Sequence, residues 1–346
     1  MEYDIVVGVS TKDCEGTISK IVRTADKALT KYFSKYNTSI LCCDGFSKDE
    51  TKKAFNDTKT KTDKKIITEK GKRSKGSAIK TIIQKVKPFN FQVLLILDGD
   101  IENLQEIWIK RLISQVLEKN NDVAIANYTV DKNDFVIGNN LIRPLTKALF
   151  NTNLGNPMIG EYCLSRKVCL SFIGSKYFPT DSSIDLFVNL SSVCENYKVV
   201  EVKLGPRNHC SSLSYMNPET TVIPRFNQII KELIQLMRYY KLDVKRGVKH
   251  NVEKKGSYEK GKPRKVDIDV KAYKEFSRNY IFNELEYVQE IYNNLNKQSI
   301  MGLKVAWLNW LCIYFDKTEK MSNEDALKVR KELARLFIEN KELLKL

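Results

Sequence analysis

The sequence predicts an α/β protein: an open parallel sheet flanked by helices and followed by a helical C-terminal region. Three observations predict it. Short runs rich in β-branched residues alternate with helix-period apolar stripes as far as Pro224, and strands that alternate with helices imply parallel pairing. One run, residues 91–97 (FQVLLIL), is apolar at nearly every position, as a central parallel strand covered on both faces should be. Beyond Pro224 the apolar pattern is helical and no convincing strand follows.

Residues 3–9 (YDIVVGV) form the first predicted strand, and Ile18, Ile21, Val22, Ala25, Leu29 and Phe33 line one face of the helix after it. Residues 39–43 (SILCC) and, more weakly, 64–68 predict two further strands. Ala78, Ile79, Ile82, Ile83 and Val86 then mark a helix. After the central strand, Leu104, Ile107, Trp108, Leu112 and Val116 predict another helix, and residues 123–128 and 198–204 predict two more strands. Phe226, Ile229, Ile230, Leu233, Leu236, Met237 and Tyr240 form a long helical stripe, so the sheet domain is expected to span 1–245. Residues 246–265 are charged, with three glycines and a proline, and read as an exposed basic loop or linker; a nucleic-acid-binding arm is the alternative. Residues 266–346 are expected to be helical: Tyr273, Phe276, Tyr280, Leu285, Val288 and Ile291 mark one stretch, 303–314 is very apolar, and Ser322 can cap the last helix.

With 346 residues, 42% of them hydrophobic, the chain can bury a substantial core. No stretch reaches the ~18 apolar residues of a membrane span, and the expected location is cytoplasmic. Eight cysteines show no metal-binding spacing and read as core residues of a reducing compartment. The formal charge of +16 is compatible with nucleic acid, an anionic membrane or a phosphate-rich substrate. Much of it is lysine scattered over helix faces, so the adopted expectation is a solvated surface with no nucleic-acid or membrane partner.

In an open parallel sheet, ligands bind beyond the carboxyl ends of the strands. The polar residues there are Ser10, Thr11 and Asp13 after the first strand, Asp44 after the second, Asp98 and Asp100 after the central one, and Arg207 and His209 after the late one. Two carboxylates flanking Gly99 are costly to desolvate unless neutralised, and a divalent cation such as Mg²⁺ or Mn²⁺ would do so. A plain turn, with Asp100 capping a helix that starts at Ile101, is the competing reading. Lys75 stands before a predicted helix, where free N–H groups and an ammonium can face one anion, although a surface lysine has the same signature. His209 follows a strand and could ligate the metal; His250 lies in the charged linker.

In order and spacing these residues resemble the retaining GT-A glycosyltransferases that make glucosyl-3-phosphoglycerate and mannosylglycerate. Six blocks carry the resemblance: Ser74-Lys75-Gly76; LLILDGDI at 94–101; IRPL at 142–145; NPMIGEYCLSR at 156–166; SSIDLFV at 182–188; and KLGPRNH at 203–209. It spans roughly residues 3–240 and implies a GT-A nucleotide-sugar-binding sheet. It also implies that Asp98, Asp100 and His209 hold Mg²⁺ or Mn²⁺ against the donor diphosphate, and that Lys75 contacts that diphosphate. Ser10, Asp13 and Asp44 would lie along the nucleoside, while Met158, Ile159 and Gly160 would line the sugar pocket above Glu161. Asp185 and Arg207 would face sugar and acceptor, so Asp185, Arg207 and Glu161 are the candidate catalytic residues.

The implied reaction moves glucose or mannose from a UDP- or GDP-sugar, with retention, to a small hydroxy acid, in a protein expected to form a homodimer. Where the phosphoglycerate-using relatives carry a Gly-Arg-x-Thr loop, this chain has Val136-Ile137-Gly138-Asn139-Asn140, without the arginine. That favours glycerate or a similar acid over 3-phosphoglycerate, unless Lys132 or Arg143 replaces the lost charge. The acidic Asn-Glu-Glu stretch of the relatives is Lys12-Asp13-Cys14-Glu15 here, which leaves UDP against GDP open. A sugar-phosphate nucleotidyltransferase would need a Gly-rich basic loop that residues 9–16 lack. A non-enzymatic polyanion-binding protein would leave the carboxylates at the end of the best strand unexplained.

Overall fold

The computed structural model describes residues 3–241, 252–277 and 283–345. They form two units. The first comprises residues 1–129, 159–210 and 253–261, and the second residues 130–158, 211–252 and 262–346. The chain crosses between them several times, so neither is a single continuous stretch of sequence. His250 and Tyr280, like residues 246–251 of the predicted linker, lie outside the described residues.

The first unit is built on β1 (Ile5–Thr11), β2 (Thr38–Asp44), β3 (Asp63–Thr68), β4 (Val93–Asp98), β5 (Val123–Thr129), β6 (Tyr162–Ser165), β7 (Val199–Pro206) and β8 (Glu253–Lys255). Their order is β3-β2-β1-β4-β6-β5-β7-β8. The runs read as strands are strands, and β4 is buried from Val93 to Leu97. Pairing is parallel except at β6, which runs antiparallel to both neighbours, with Leu95 opposite Cys163 and Ile125 opposite Tyr162.

Two strands differ from the sequence reading. β6 has only four residues, too few for a period to show, and β8 (EKK) comes from inside the predicted linker. A strand of three exposed residues carries no hydrophobic signal. It is fixed instead by backbone pairing to β7 and by Lys254 Nζ, 3.1 Å from the fully buried Glu201 carboxylate.

Helices α1 (Glu15–Tyr32), α2 (Thr51–Asp57), α3 (Lys75–Val86), α4 (Glu106–Leu117), α6 (Arg166–Gly174) and α7 (Ile184–Cys194) flank this sheet. The apolar stripe of α1 is buried at Ile18, Ile21, Val22, Ala25 and Leu29, as its spacing predicts. Helix α3 starts at Lys75, one turn earlier than its apolar stripe, because the Ser74 hydroxyl accepts from Ser77 N and caps it. Helix α4 starts at Glu106 with Gln105 as its cap, so Asp100 caps no helix and the plain N-cap reading of that residue is excluded.

The second unit is helical: α5 (Arg143–Leu149), α8 (Ile223–Tyr239), α9 (Val270–Phe276), α10 (Glu284–Asn296), α11 (Ile300–Thr318) and α12 (Asn323–Glu339). Asp269, Asn283, Ser299 and Ser322 cap α9 to α12 by accepting from backbone N–H groups. Aromatic rings fill its core, with Trp307 stacked on Phe226 at 4.7 Å and Trp310 on Tyr287 at 5.2 Å. Lys132, a candidate for the missing acceptor charge, belongs to this core's margin. Its ammonium donates to the carbonyls of Thr318, Glu319 and Met321 at the end of α11, which satisfies helix-end acceptors and spends the charge there. No described helix is long and apolar enough to cross a membrane.

Candidate active site

β4 ends at Asp98, and the turn beyond it is held from three sides. Gly99 N donates to Ser10 O at 2.8 Å, and Thr17 Oγ1 donates to Gly99 O at 2.6 Å. A Cβ on Gly99 would lie 2.8 Å from Ser10 O and from the Thr11 side chain, so only glycine lets the turn approach β1 this closely. The loop after β7 is strapped to the same turn. Ile101 bridges His209, Cys210 N donates to Asp100 O at 3.1 Å, and Glu102 N donates to Asn208 O at 3.0 Å. Asn103 adds two more bonds, to Pro206 O and from Asn208 N. Residues more than a hundred positions apart are thereby fixed against each other by backbone bonds and by the Asn103 side chain.

Charged side chains converge on this frame. Lys75 Nζ lies 2.5 Å from Asp98 Oδ1 and 2.9 Å from Asp185 Oδ2. Arg207, with 3% of its side chain exposed, reaches Glu161 Oε1 at 2.8 Å, Asp98 Oδ2 at 3.2 Å and Asp100 Oδ1 at 3.9 Å. His209 Nδ1 lies 3.7 Å from Asp100 Oδ2. Gly160 is the floor: its absent Cβ would overlap the Lys75 ammonium and lie 3.0 Å from both Asp185 Oδ2 and Asp98 Oδ2. Tyr162 donates to Asp185 Oδ1 at 3.4 Å.

Four carboxylates thus meet one ammonium and one guanidinium. Burial pushes Glu161 up to about 7 against the pull of Arg207, with Asp98 adding to the rise. Burial likewise pushes Asp185 up to about 6 against Lys75, Asp98 again adding. Burial pulls Lys75 down, but Asp185, Asp98 and Glu161 outweigh it and hold the ammonium above its ordinary range. The excess of negative charge is what a dication or a protonated carboxyl would relieve. Among the described residues no three His, Cys, Asp or Glu side chains enclose an ion by themselves. Mg²⁺ is commonly held by one or two carboxylates and completes its shell with phosphate oxygens and water. Asp100 and His209 face one another with the right donor atoms for such an ion.

The other sequence candidates fall elsewhere. Ser10 Oγ is 3.5 Å from Asp98 Oδ1, at the edge of the cluster. Asp13 and Asp44 join loops: Asp13 Oδ1 accepts from Lys48 N at 2.7 Å, and the fully buried Asp44 accepts from Phe46 N and lies 3.2 Å from Lys52 Nζ. They shape the rim of the β1 and β2 ends. Met158 lies in the helical unit, where its amide donates to Asn156 Oδ1, whereas Ile159 and Gly160 lie in the sheet unit and Ile159 O accepts from Asn189 Nδ2. Sequence reasoning passed over Tyr128, at the end of β5, and Tyr162, next to Glu161. Tyr162 adjoins Glu161, and that adjacency was the available signal; Tyr128 closes the predicted strand 123–128.

A sheet with an antiparallel strand set between β4 and β5, an acidic turn after β4 and a basic residue at the head of α3 has the GT-A fold. Residues 7–166, a little under half of the chain, match the family model Glycosyl transferase family 2. The structure is similar to that of glucosyl-3-phosphoglycerate synthase from Mycobacterium tuberculosis in complex with phosphoglyceric acid (14% identity, 70% of this chain and 81% of that chain, TM-score 0.55). It is also similar to that enzyme with Mn²⁺, uridine-diphosphate-glucose and phosphoglyceric acid (16% identity, 70% and 81% covered, TM-score 0.55). A third similar structure is the same enzyme with Mg²⁺ and uridine-diphosphate (15% identity, 70% and 80% covered, TM-score 0.53). No curated protein sequence matches the chain.

Proposed function

We propose that the protein transfers glucose or mannose from a nucleoside-diphosphate sugar to D-glycerate or a similar small hydroxy acid, with retention at the anomeric carbon and with the help of Mg²⁺ or Mn²⁺. The observation that carries this reading is the convergence of Lys75, Asp98, Asp100, Glu161, Asp185, Arg207 and His209 on one strapped turn. Asp100 and His209 would hold the divalent ion together with Asp98, the third expected ligand, whose carboxylate here meets Lys75 and Arg207. When bound, that ion supplies positive charge to the diphosphate leaving group. Lys75 adds a second positive charge. Two of its N–H groups are engaged by Asp98 and Asp185, which aim the ammonium and leave a third for a phosphate oxygen.

The bond from the anomeric carbon to the diphosphate oxygen breaks, the acceptor oxygen bonds to that carbon, and the acceptor proton passes to a diphosphate oxygen. Asp185 stays beside the ammonium and Glu161 beside Arg207, both near the developing positive charge of the sugar. Either carboxylate acting as base or nucleophile is the competing route.

Glycerate is favoured because residues 136–140 carry no arginine and Lys132 is spent on α11. The 3-phosphoglycerate reading draws on the phosphoglyceric acid named for the similar structures. The test is a thermal-shift screen of nucleoside diphosphates and their sugars with Mn²⁺, followed by transfer assays with glycerate and 3-phosphoglycerate and NMR of the product anomer. No transfer to either acid sinks the acceptor class, and an inverted anomer sinks retention.

A further inference from the structure

We infer that Tyr128 and Glu161 form a buried niche that receives one alcohol hydroxyl of a substrate, with Tyr128 donating to it and Glu161 accepting from it. The inference rests on the transfer reading above and adds to it a residue that neither sequence nor family resemblance singles out.

Strand register places the two side chains together. β5 and β6 are antiparallel, Ile125 stands opposite Tyr162, and Ala126 N donates to Glu161 O at 3.0 Å. Side chains alternate along a strand, so Ala126, Tyr128 and Glu161 share one face. The Tyr128 ring is pinned there: Trp108 packs on it at 5.2 Å between centroids, and Trp108 is itself fixed by donating from Nε1 to Glu259 Oε2 at 2.9 Å. The Arg207 guanidinium stands 6.0 Å from the ring and holds Glu161 by Oε1 alone.

Each side chain of the pair keeps one polar atom over. The Tyr128 hydroxyl and Glu161 Oε2 are both buried and have no hydrogen-bond partner among the described residues. Buried polar atoms without partners cost stability, and two in one place beside the charged cluster are the signature of a position a ligand fills. The chemistry of the pair narrows the ligand. A phenol held neutral by burial, with the Glu161 charge adding, can donate, and Glu161, pushed up to about 7, is an acceptor-only carboxylate above that pH. A carboxylate or phosphate ligand would meet Oε2 with like charge, and an ammonium would meet Arg207. A single alcohol hydroxyl, donor and acceptor at once, satisfies both atoms. The transferred sugar and the hydroxy-acid acceptor both carry one.

The test compares wild type with Tyr128→Phe, using UDP-glucose and GDP-mannose as donors and glycerate as acceptor. We expect kcat/KM to fall about 10- to 100-fold, the loss of one hydrogen bond in a charged network. The melting-temperature shift produced by UDP or GDP with Mn²⁺ should be unchanged. A raised donor KM places the hydroxyl on the sugar, and a raised acceptor KM places it on the acid. Because the phenol oxygen has no internal partner, ligand-free Tyr128→Phe should melt no lower than wild type. Kinetics within threefold of wild type, or a lower melting temperature without ligand, overturns the niche alone. A wild type that neither binds nor cleaves these donors overturns the transfer reading, and the niche with it.

Discussion

Gly160→Ala adds one methyl group where the site has no room for it. Gly160 does not have a positive φ, so alanine fits the backbone and the fold should survive. The new Cβ would overlap the Lys75 ammonium and touch Asp98 and Asp185 oxygens at 3.0 Å. Restoring ordinary van der Waals separation requires the ammonium to retreat by about 1.5 Å. That would stretch its 2.5 Å and 2.9 Å ion pairs by as much, to about 4.0 and about 4.4 Å, at and beyond the limit at which such a pair still counts. A misplacement of about 1 Å at a charge-stabilising group costs roughly 10²-fold in rate, about 2.7 kcal/mol of barrier. Initial rates with saturating donor, read beside the melting temperature, measure it. Gly174→Ala is the control, since a Cβ there meets nothing within 4 Å. A Gly160→Ala enzyme with kcat within threefold of wild type would refute the assignment of Lys75 to the reacting diphosphate.

Asp100→Ala should lower divalent-dependent transfer by about 10²-fold or more while the fold persists, since its carboxylate has no capping duty; full activity of this variant in EDTA removes the metal from the reaction. In the ligand-free protein, Glu161 rises from 4.5 to about 7 and Asp185 from 3.8 to about 6. Raised folded values mean that the folded state binds these protons more tightly than the unfolded chain, so stability present below pH ~4 is lost up to pH ~7 and then levels off. Melting temperatures between pH 5 and 8 should therefore fall, and less steeply in Glu161→Gln; an equal slope in that variant contradicts the assignment. Lys132→Met should cost about 1 kcal/mol through the end of α11 and leave the acceptor KM unchanged. A raised acceptor KM would return Lys132 to the acceptor site.

The legible parts of the fold were those with a long periodic signal. The buried run of β4 and the stripes of α1, α4 and α8 announce themselves because core burial demands many apolar side chains on one face. β6 and β8 did not, because four and three residues carry no period and are held by neighbours rather than by their own composition. The candidate site residues behaved the same way. Asp98, Asp100 and Lys75 stand where a strand ends or a helix begins, and those positions are visible in sequence. Asp13 and Asp44 stand at strand ends too, yet their carboxylates are engaged by local backbone N–H groups, a difference of loop conformation that composition does not record.

By itself the sequence determined the alternation of strands and helices, the acidic turn at the end of the central strand and the ordered blocks that resemble one glycosyltransferase class. These are local or sequential properties, written in spacing and residue type. The tertiary structure decided which charges meet. It brought the loop of Arg207 and His209 across to the Asp98 turn through backbone bonds at residues 208–210, placed Lys75 between two carboxylates and put Tyr128 on the strand face that Glu161 shares. Partnership between residues a hundred positions apart depends on strand order and on the antiparallel insertion of β6. Both are settled by the packing of the whole sheet and by no single segment of the chain.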